Sequence, residues 1–458
     1  MATASPRHSR AGGPPRGRRG LTRRQAIGYL GGSAVGALVG GTTLATATAC
    51  TPPETPTSQG DLNLWTFADT HAGWFMEMAK EFEQETGIKV AVSLIPGSVL
   101  FQQLLINLKA GGLNTPDLCD IEQGAFGSFL IGRSVPFVDI GPALREKGYD
   151  KQLVAGRQAL YSWQGGVYGV EHALTPVTLF YLREPWERAG IDPATLHTWD
   201  EFSEAVRETF PPETRALPLP GHDVMLRQRG GDYFDAEGRV TVDSELSIDT
   251  MEWLLAQEKN GTFARPPGWI TEGLNPAVWA EFRANKIVSL VSPDWYAGTI
   301  ESQADDLVGK WGACPLPAFE PGGRRASCLG GTGLTILKTS KRQEIAWQFL
   351  EFSMLRVPAV IKRYKAINLY PPFIPAWSDP QMHDPIPFFG GQDIGALYAE
   401  VGEEVPPQYQ SPYRPQLTGQ ELGPRMLDVY QRKRSAAEVF SEVADAVRAR
   451  MERGGSVG

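Results

Sequence analysis

Cysteine is scarce in this chain: four in 458 residues, none in a CxxC pair, with only six histidines beside them. A cysteine-based zinc site is therefore not expected, nor any other metal or cofactor. Signature loops are missing as well. There is no GxSxG elbow, no HExxH and no Walker loop, and Gly330-Gly331-Thr332-Gly333 lacks the lysine of a phosphate loop. Nothing marks an enzyme. Acid is absent from residues 1–49, which carry seven arginines (Arg7, Arg10, Arg16, Arg18, Arg19, Arg23 and Arg24). Setting those aside takes the net charge from −8 to −15 for residues 50–458. An acidic body does not suit a nucleic-acid partner, whose phosphates are neutralised by lysine and arginine. What is present is a large apolar inventory, 42% of the chain with 12 Trp and 20 Phe. That excludes a disordered chain or a coiled coil and allows two or three domains, or one large two-lobed unit.

Residues 1–49 read as an export signal: an arginine-rich start, an apolar Gly/Ala-rich run from Ala26 to Ala49, then small residues before a cysteine. Thr22-Arg23-Arg24-Gln25-Ala26-Ile27 resembles a twin-arginine signal, and Ala47-Thr48-Ala49-Cys50 resembles a lipobox, which makes Cys50 the expected lipidation site. The other reading is an uncleaved span, for which the run is long enough but poor in leucine. Residues 50–60 form a Pro/Thr/Ser tether, so the body is expected outside the cytoplasm, on the outer face of the membrane.

The body alternates strand and helix. Leu62, Leu64 and Phe67 mark a strand; Trp74, Phe75, Met78, Ala79 and Phe82 recur at helical spacing, with Gly87 placed to end the helix. Ile88–Val92 is a second strand, Phe101–Ala110 a second helix, and Pro116–Ile121 begins a third strand. A β-α-β-α-β opening predicts an α/β fold with a parallel sheet. Later helices are expected over Asp200–Phe210 (capped by Thr198), Ser247–Lys259, Val278–Ala284, Ala346–Leu355 and Ala436–Met451, with a buried strand at Ile287–Val291. Cys314 and Cys328 flank a Pro321-Gly322-Gly323 turn, so neighbouring strands could join them as a disulfide; the alternative is three buried free thiols, with Cys119.

Open α/β sheets bind ligands beyond the carboxyl ends of their strands. Asp69-Thr70-His71, Glu122-Gln123 and Trp295-Tyr296 all follow predicted strands. An aromatic face stacks on the C–H face of a sugar ring while Asp, Glu, Gln and His bond its hydroxyls, so the set fits a neutral polyhydroxylated ligand. Trp295, between Pro293-Asp294 and Gly298, is the tryptophan expected to face a ligand.

Taken in order, several loose elements resemble one family. They are Leu64-Trp65, Phe82 through Val90, Pro116-Asp117, Gly166 through Val170, Thr198-Trp199-Asp200, Gly230-Gly231-Asp232, Pro293-Asp294-Trp295, Trp311-Gly312, Pro315-Leu316-Pro317, Gly330-Gly331 and Ala346 through Leu350. The chain is similar to the extracellular solute-binding proteins of ABC importers, sugar-binding and maltose-binding-protein-like. That resemblance implies two lobes, each a sheet flanked by helices, joined by a hinge that the chain crosses three times, near 170–174, 310–317 and 338–346. Lobe one would hold 61–170 and 314–338, and lobe two 171–313 and 339–458. It implies capture of a carbohydrate by hinge closure and delivery to an ABC permease with a separate ATPase, by a monomer. By position it also implies ligand contacts from Asp69, Thr70, Glu122, Gln123, Glu171, His172, His222, Asp223, Trp295, Gly331 and Thr332, with Tyr370, Tyr409 and Tyr413 for a second ring. The competing readings are the same fold for a glycerol-phosphate ester, polyamine or peptide, and a secreted glycosidase or lyase.

Overall fold

The computed structural model describes residues 61–132, 134–265 and 276–455; the export signal, the tether and Cys50 lie outside these. The strands that position the site are, in chain order, β1 (Leu62–Thr66), β2 (Val90–Leu94), β3 (Leu118–Glu122), β4 (Val170–Glu171), β5 (Pro176–Leu182), β6 (Ser289–Pro293), β7 (Trp311–Cys314), β8 (Ser327–Cys328) and β9 (Thr332–Ile336).

The first sheet runs β2-β1-β3-β9-β4. β1 pairs in parallel with both β2 and β3, as the alternation of strands and helices predicts, whereas β9 is antiparallel to β3 and β4. The helix Asp69–Thr86 joins β1 to β2 and buries Trp74, Phe75, Met78, Ala79 and Phe82 along one stripe. Each of the large side chains, removed from water, contributes roughly 1.5–3 kcal/mol, and the alanine methyl less. Gly87 ends the helix at φ 76°, with its N–H on the Glu83 carbonyl, a conformation that glycine adopts without steric cost. The helix Gly97–Lys109 makes the second crossover.

The second sheet is antiparallel, β6-β5-β7, with β8 also on β5. All seven residues of β5 are buried, as befits a central strand covered on both faces. Helix Trp199–Thr209 shares a buried cluster with Val177 and Leu179 of β5, and is started by a capping box in which Thr198 Oγ1 accepts the Glu201 N–H and Glu201 accepts the Thr198 N–H. Among the described residues no helix is long and apolar enough to cross a membrane.

The strand pairing corrects two expectations. Residues 314–331 were expected in lobe one, but Cys314 pairs with Leu179, and Ser327-Cys328 pair with Val177-Pro176, so this stretch belongs to the second sheet. Pro315 and Pro317 end a strand rather than mark a crossing, and the chain returns to the same β5. It passes from the first sheet to the second over 172–175 and back over 329–331. Likewise, helices Gln343–Met354 and Val357–Ile367 pack on the first helix and β9, not on the second sheet.

The second correction is the disulfide: Cys119, Cys314 and Cys328 are all free and buried. Cys314 and Cys328 do not face each other across two strands. They lie in register with Leu179 and Pro176 of one strand, three residues apart, which is about 10 Å at the strand rise. A disulfide needs Cα atoms within about 7 Å. Alkylation in denaturant without reductant should therefore label both peptides, and a disulfide-linked pair would overturn this placement.

Candidate functional site

A cleft of about 600 Å³ opens where the two sheets meet. The carboxyl ends of strands supply most of its wall: Phe67, Ala68, Thr70 and His71 after β1, Glu122 at the end of β3, Glu171 and His172 at the end of β4, and Trp295 after β6. Gly330, Gly331 and Thr332 enter where the chain returns to the first sheet, and Ala366 to Leu369 close one side from the end of helix Val357–Ile367. Of the described residues that line it, none is a lysine or arginine.

Trp295 is half-buried, and its Nε1–H donates to the Leu329 carbonyl at 3.0 Å. Its backbone is fixed by Asp294, whose carboxylate accepts the N–H of Trp295 at 2.7 Å and that of Tyr370 at 3.0 Å. Thr175 donates its backbone N–H to the same carboxylate. Burial pushes Asp294 up to about 7, and those backbone N–H groups oppose the rise. One side chain thus ties the strand exit, the pass between sheets and the Tyr370 loop together. Thr175 sits in that pass at φ 49°, a costly conformation for a β-branched residue, with its Oγ1 buried and unpartnered at the cleft wall.

Glu171 and Arg157 clamp both passes. Arg157 Nη2 lies 3.1 Å from Glu171 Oε2 as a charge contact and donates to the Gly330 carbonyl at 3.0 Å, while Glu171 Oε1 accepts the Thr332 N–H at 2.7 Å. Burial raises Glu171 to about 8 against the pull of Arg157. Gly331 has φ 147°, and a Cβ there would lie 2.6 Å from Arg157 Nη2, so no other residue fits.

Behind the cleft wall Asp120 accepts from three side chains: Thr66 Oγ1 at 2.7 Å, His71 Nδ1 at 3.1 Å and His172 Nε2 at 2.8 Å. Burial alone would raise Asp120, but His172 and His71 outweigh it and hold the carboxyl well below the usual range. Burial pushes His172 down to about 4, with Asp120 opposing. His71, Asp120 and His172 are also a group that could hold a metal ion, where no metal site was expected.

Of the residues expected to bind ligand, Thr70, His71, Glu122, Glu171, His172, Trp295, Gly331 and Thr332 line this cleft. Others do not. Asp69 is exposed in the first turn of its helix, where an acid complements the helix dipole. Gln123 braces the wall instead, its N–H on the Gly331 carbonyl and its side chain against Gln408. Tyr296 is buried edge-on beneath Trp295, and Tyr370 is fully buried among Tyr364, Trp377 and Tyr398. Tyr413, partly buried, packs against the core that contains Val177 and Leu179 of β5, and Tyr409 offers its N–H to Asp232. Asp223 pairs with Arg227 at 2.6 Å.

His222 is a core residue: Nε2 donates to the Ser247 carbonyl at 2.8 Å and Nδ1 accepts from Tyr233 at 3.0 Å. Its burial lowers it to about 4. A folded value below the unfolded one means its contribution is full above about 6.5 and is lost as pH falls through about 4. His222→Gln should cost about 1–2 kcal/mol at pH 7 by orphaning those partners, leave ligand affinity unchanged, and narrow its gap to wild type in acid. An affinity loss without destabilisation would return His222 to the site.

The sequence reading missed Asp120, Arg157 and Thr175. Asp120 did carry a signal, as an acid between Cys119 and Ile121 in a buried strand, where a charge demands partners.

The model of the family "bacterial extracellular solute-binding protein" matches residues 68–354. The chain is 28% identical, over 76% of its own length and 82% of the relative's, to the arabinooligosaccharide-binding protein of Bacillus subtilis (strain 168). It is 26% identical, over 67% of its length and 72% of the relative's, to the lactose-binding protein of Rhizobium radiobacter. Among solved structures it is similar to the sugar-binding protein MalE of Xanthomonas citri (TM-score 0.72, 19% identity, 87% of this chain and 98% of that one). It is also similar to a binding protein of B. animalis subsp. lactis in complex with β-1,6-galactobiose (TM-score 0.65, 20% identity, 87% and 98%). The fold is the two-lobed α/β fold of these structures, and the chain belongs to the bacterial extracellular solute-binding proteins.

Proposed function

We propose that this protein captures a neutral oligosaccharide in the cleft between its sheets and delivers it to an ABC permease whose ATPase is a separate chain. The observation that carries this reading is Trp295, half-buried in a cleft whose other polar groups are carboxylate, imidazole, hydroxyl, the Asn368 carboxamide and backbone. An aromatic face with hydrogen-bonding groups around it suits a sugar ring, and a wall without lysine or arginine does not suit a phosphate ester. The names of the relatives, arabinooligosaccharide- and lactose-binding, support the same class. Closure of the two lobes over the ligand, bending at 172–175 and 329–331, would stabilise the closed form by contacts made only there. A lipid on Cys50 would hold the body at the outer face of the membrane near its permease.

A thermal-shift screen tests the ligand class. A ligand that binds only the folded state raises the melting temperature with RT ln(1 + [L]/Kd). Arabino-oligosaccharides, lactose and maltodextrins at millimolar concentration should include at least one that shifts the transition without being cleaved. A shift with amino acids, peptides or polyamines and none with sugars would discard the carbohydrate. Product formation would favour a glycosidase.

A further inference from the structure

Neither stacking by Trp295 nor the clamp at the passes uses the His71–Asp120–His172 group. Asp120 and His172 are buried, and His71 lines the cleft. An ionised carboxylate can only accept, so His71 carries its proton on Nδ1 and His172 on Nε2. The two rings are therefore held in opposite tautomers, and each keeps one bare lone pair: Nε2 of His71 and Nδ1 of His172. The second of these is buried with no partner, at a residue of the cleft wall.

A metal ion is the other use such a trio could have. The donor atoms lie within 4.8 Å of one another, but the imidazoles are stacked, with centroids 4.3 Å apart and planes inclined by 20°. A metal binds along a lone pair in the plane of each ring, and the lone pairs of two stacked rings do not meet on one ion. The hydrogen-bonded arrangement needs no such convergence.

We propose that Asp120 is a positioning residue of the ligand cleft, which fixes His71 and His172 as hydrogen-bond acceptors, so that this wall selects ligands whose hydroxyls donate. The selection rests on the carbohydrate reading above; the tautomers do not. Hydroxyls masked as ethers lose the donor and leave these lone pairs unpaired, which is a strong basis for rejection.

Two arms separate the proposals. Imidazole ¹⁵N spectra of the ligand-free full chain at pH 7, assigned with His71→Gln and His172→Gln, should show His71 as Nδ1–H and His172 as Nε2–H. Either ring reversed or doubly protonated overturns the proposal, as does one equivalent of Zn²⁺ shifting both rings together. Binding is then measured with arabinotriose and lactose as probes. Asp120→Asn should weaken the probe that binds wild type at least tenfold, because its carboxamide NH₂ donates and forces one ring to reverse; unchanged affinity overturns the role. If that variant does not fold, the O-methylated probe on wild type decides, with a tenfold loss expected and equal binding overturning it. If neither probe binds wild type, the carbohydrate reading fails while the ¹⁵N spectra still decide the positioning.

Discussion

Replacing Arg157 by methionine lowers the unfolding free energy by about 3–5 kcal/mol above pH 8, where Glu171 is ionised, and by less below it, the larger figure being the usual cost of removing one partner of a buried ion pair. Arg157 and Glu171 are both almost completely buried, and the methionine leaves the carboxylate without its cation in a site that already disfavours charge. It also frees the Gly330 carbonyl, so the return pass over 329–331 loses an anchor. Glu171→Gln in the same chain should recover part of the loss. The amide can still accept the Thr332 N–H and needs no counter-ion. The pH dependence has a definite sign. Folded Glu171 sits near 8, above its ordinary value, so its contribution is full below the ordinary carboxylate range and is lost as pH rises through about 8. Without Arg157 the folded value rises further, so the gap to wild type stays level up to about pH 7 and widens as pH rises through about 8. Urea unfolding of the two single variants and the double variant measures this. A cost under 1 kcal/mol for the single Arg157 variant would mean that the passes are held by other contacts.

The elements that repeat a pattern were legible. The 3.6-residue stripe from Trp74 to Phe82, the cap at Thr198 and the strand–helix alternation from Leu62 to Ile121 each carry local signals, and the structure has them within a few residues. The rule that ligands sit beyond strand ends named Thr70, His71, Glu122 and Trp295 of the cleft wall, because it depends only on where strands stop; Glu171, His172, Gly331 and Thr332 came from the resemblance. The failures share a cause: they turn on which distant segments pair. Cys314 and Cys328 look joinable across a turn, and only the register on β5 separates them. His222 and Asp223 look like a polar loop, yet the fold lays them on helix His222–Gln228, where Tyr233, Ser247 and Arg227 satisfy them. Arg157 left no trace at all, since an arginine after a short apolar stretch reads as surface until Gly330 and Glu171 arrive from 173 and 14 residues away.

Trp295→Ala should weaken binding of the captured sugar by about 1–3 kcal/mol, or some 5- to 150-fold in Kd. Part of that is the lost face, which covers a ring's C–H groups. Part is order: the indole is held by its bond to Leu329 and its backbone by Asp294, so the wild-type face is in place before the ligand arrives. Trp295→Phe separates the two contributions. It keeps an aromatic face and loses the Nε1–H bond, so its affinity should fall between wild type and alanine. Since the side chain is only half-buried and outside the middle of either core, both variants should melt within a few degrees of wild type. Calorimetric titration with the sugar identified by thermal shift gives the comparison. Equal affinity in all three proteins would place the sugar away from this face, and the polar wall at Glu122, Glu171 and the paired histidines would then have to hold it without stacking, at the cost of the main argument for a carbohydrate.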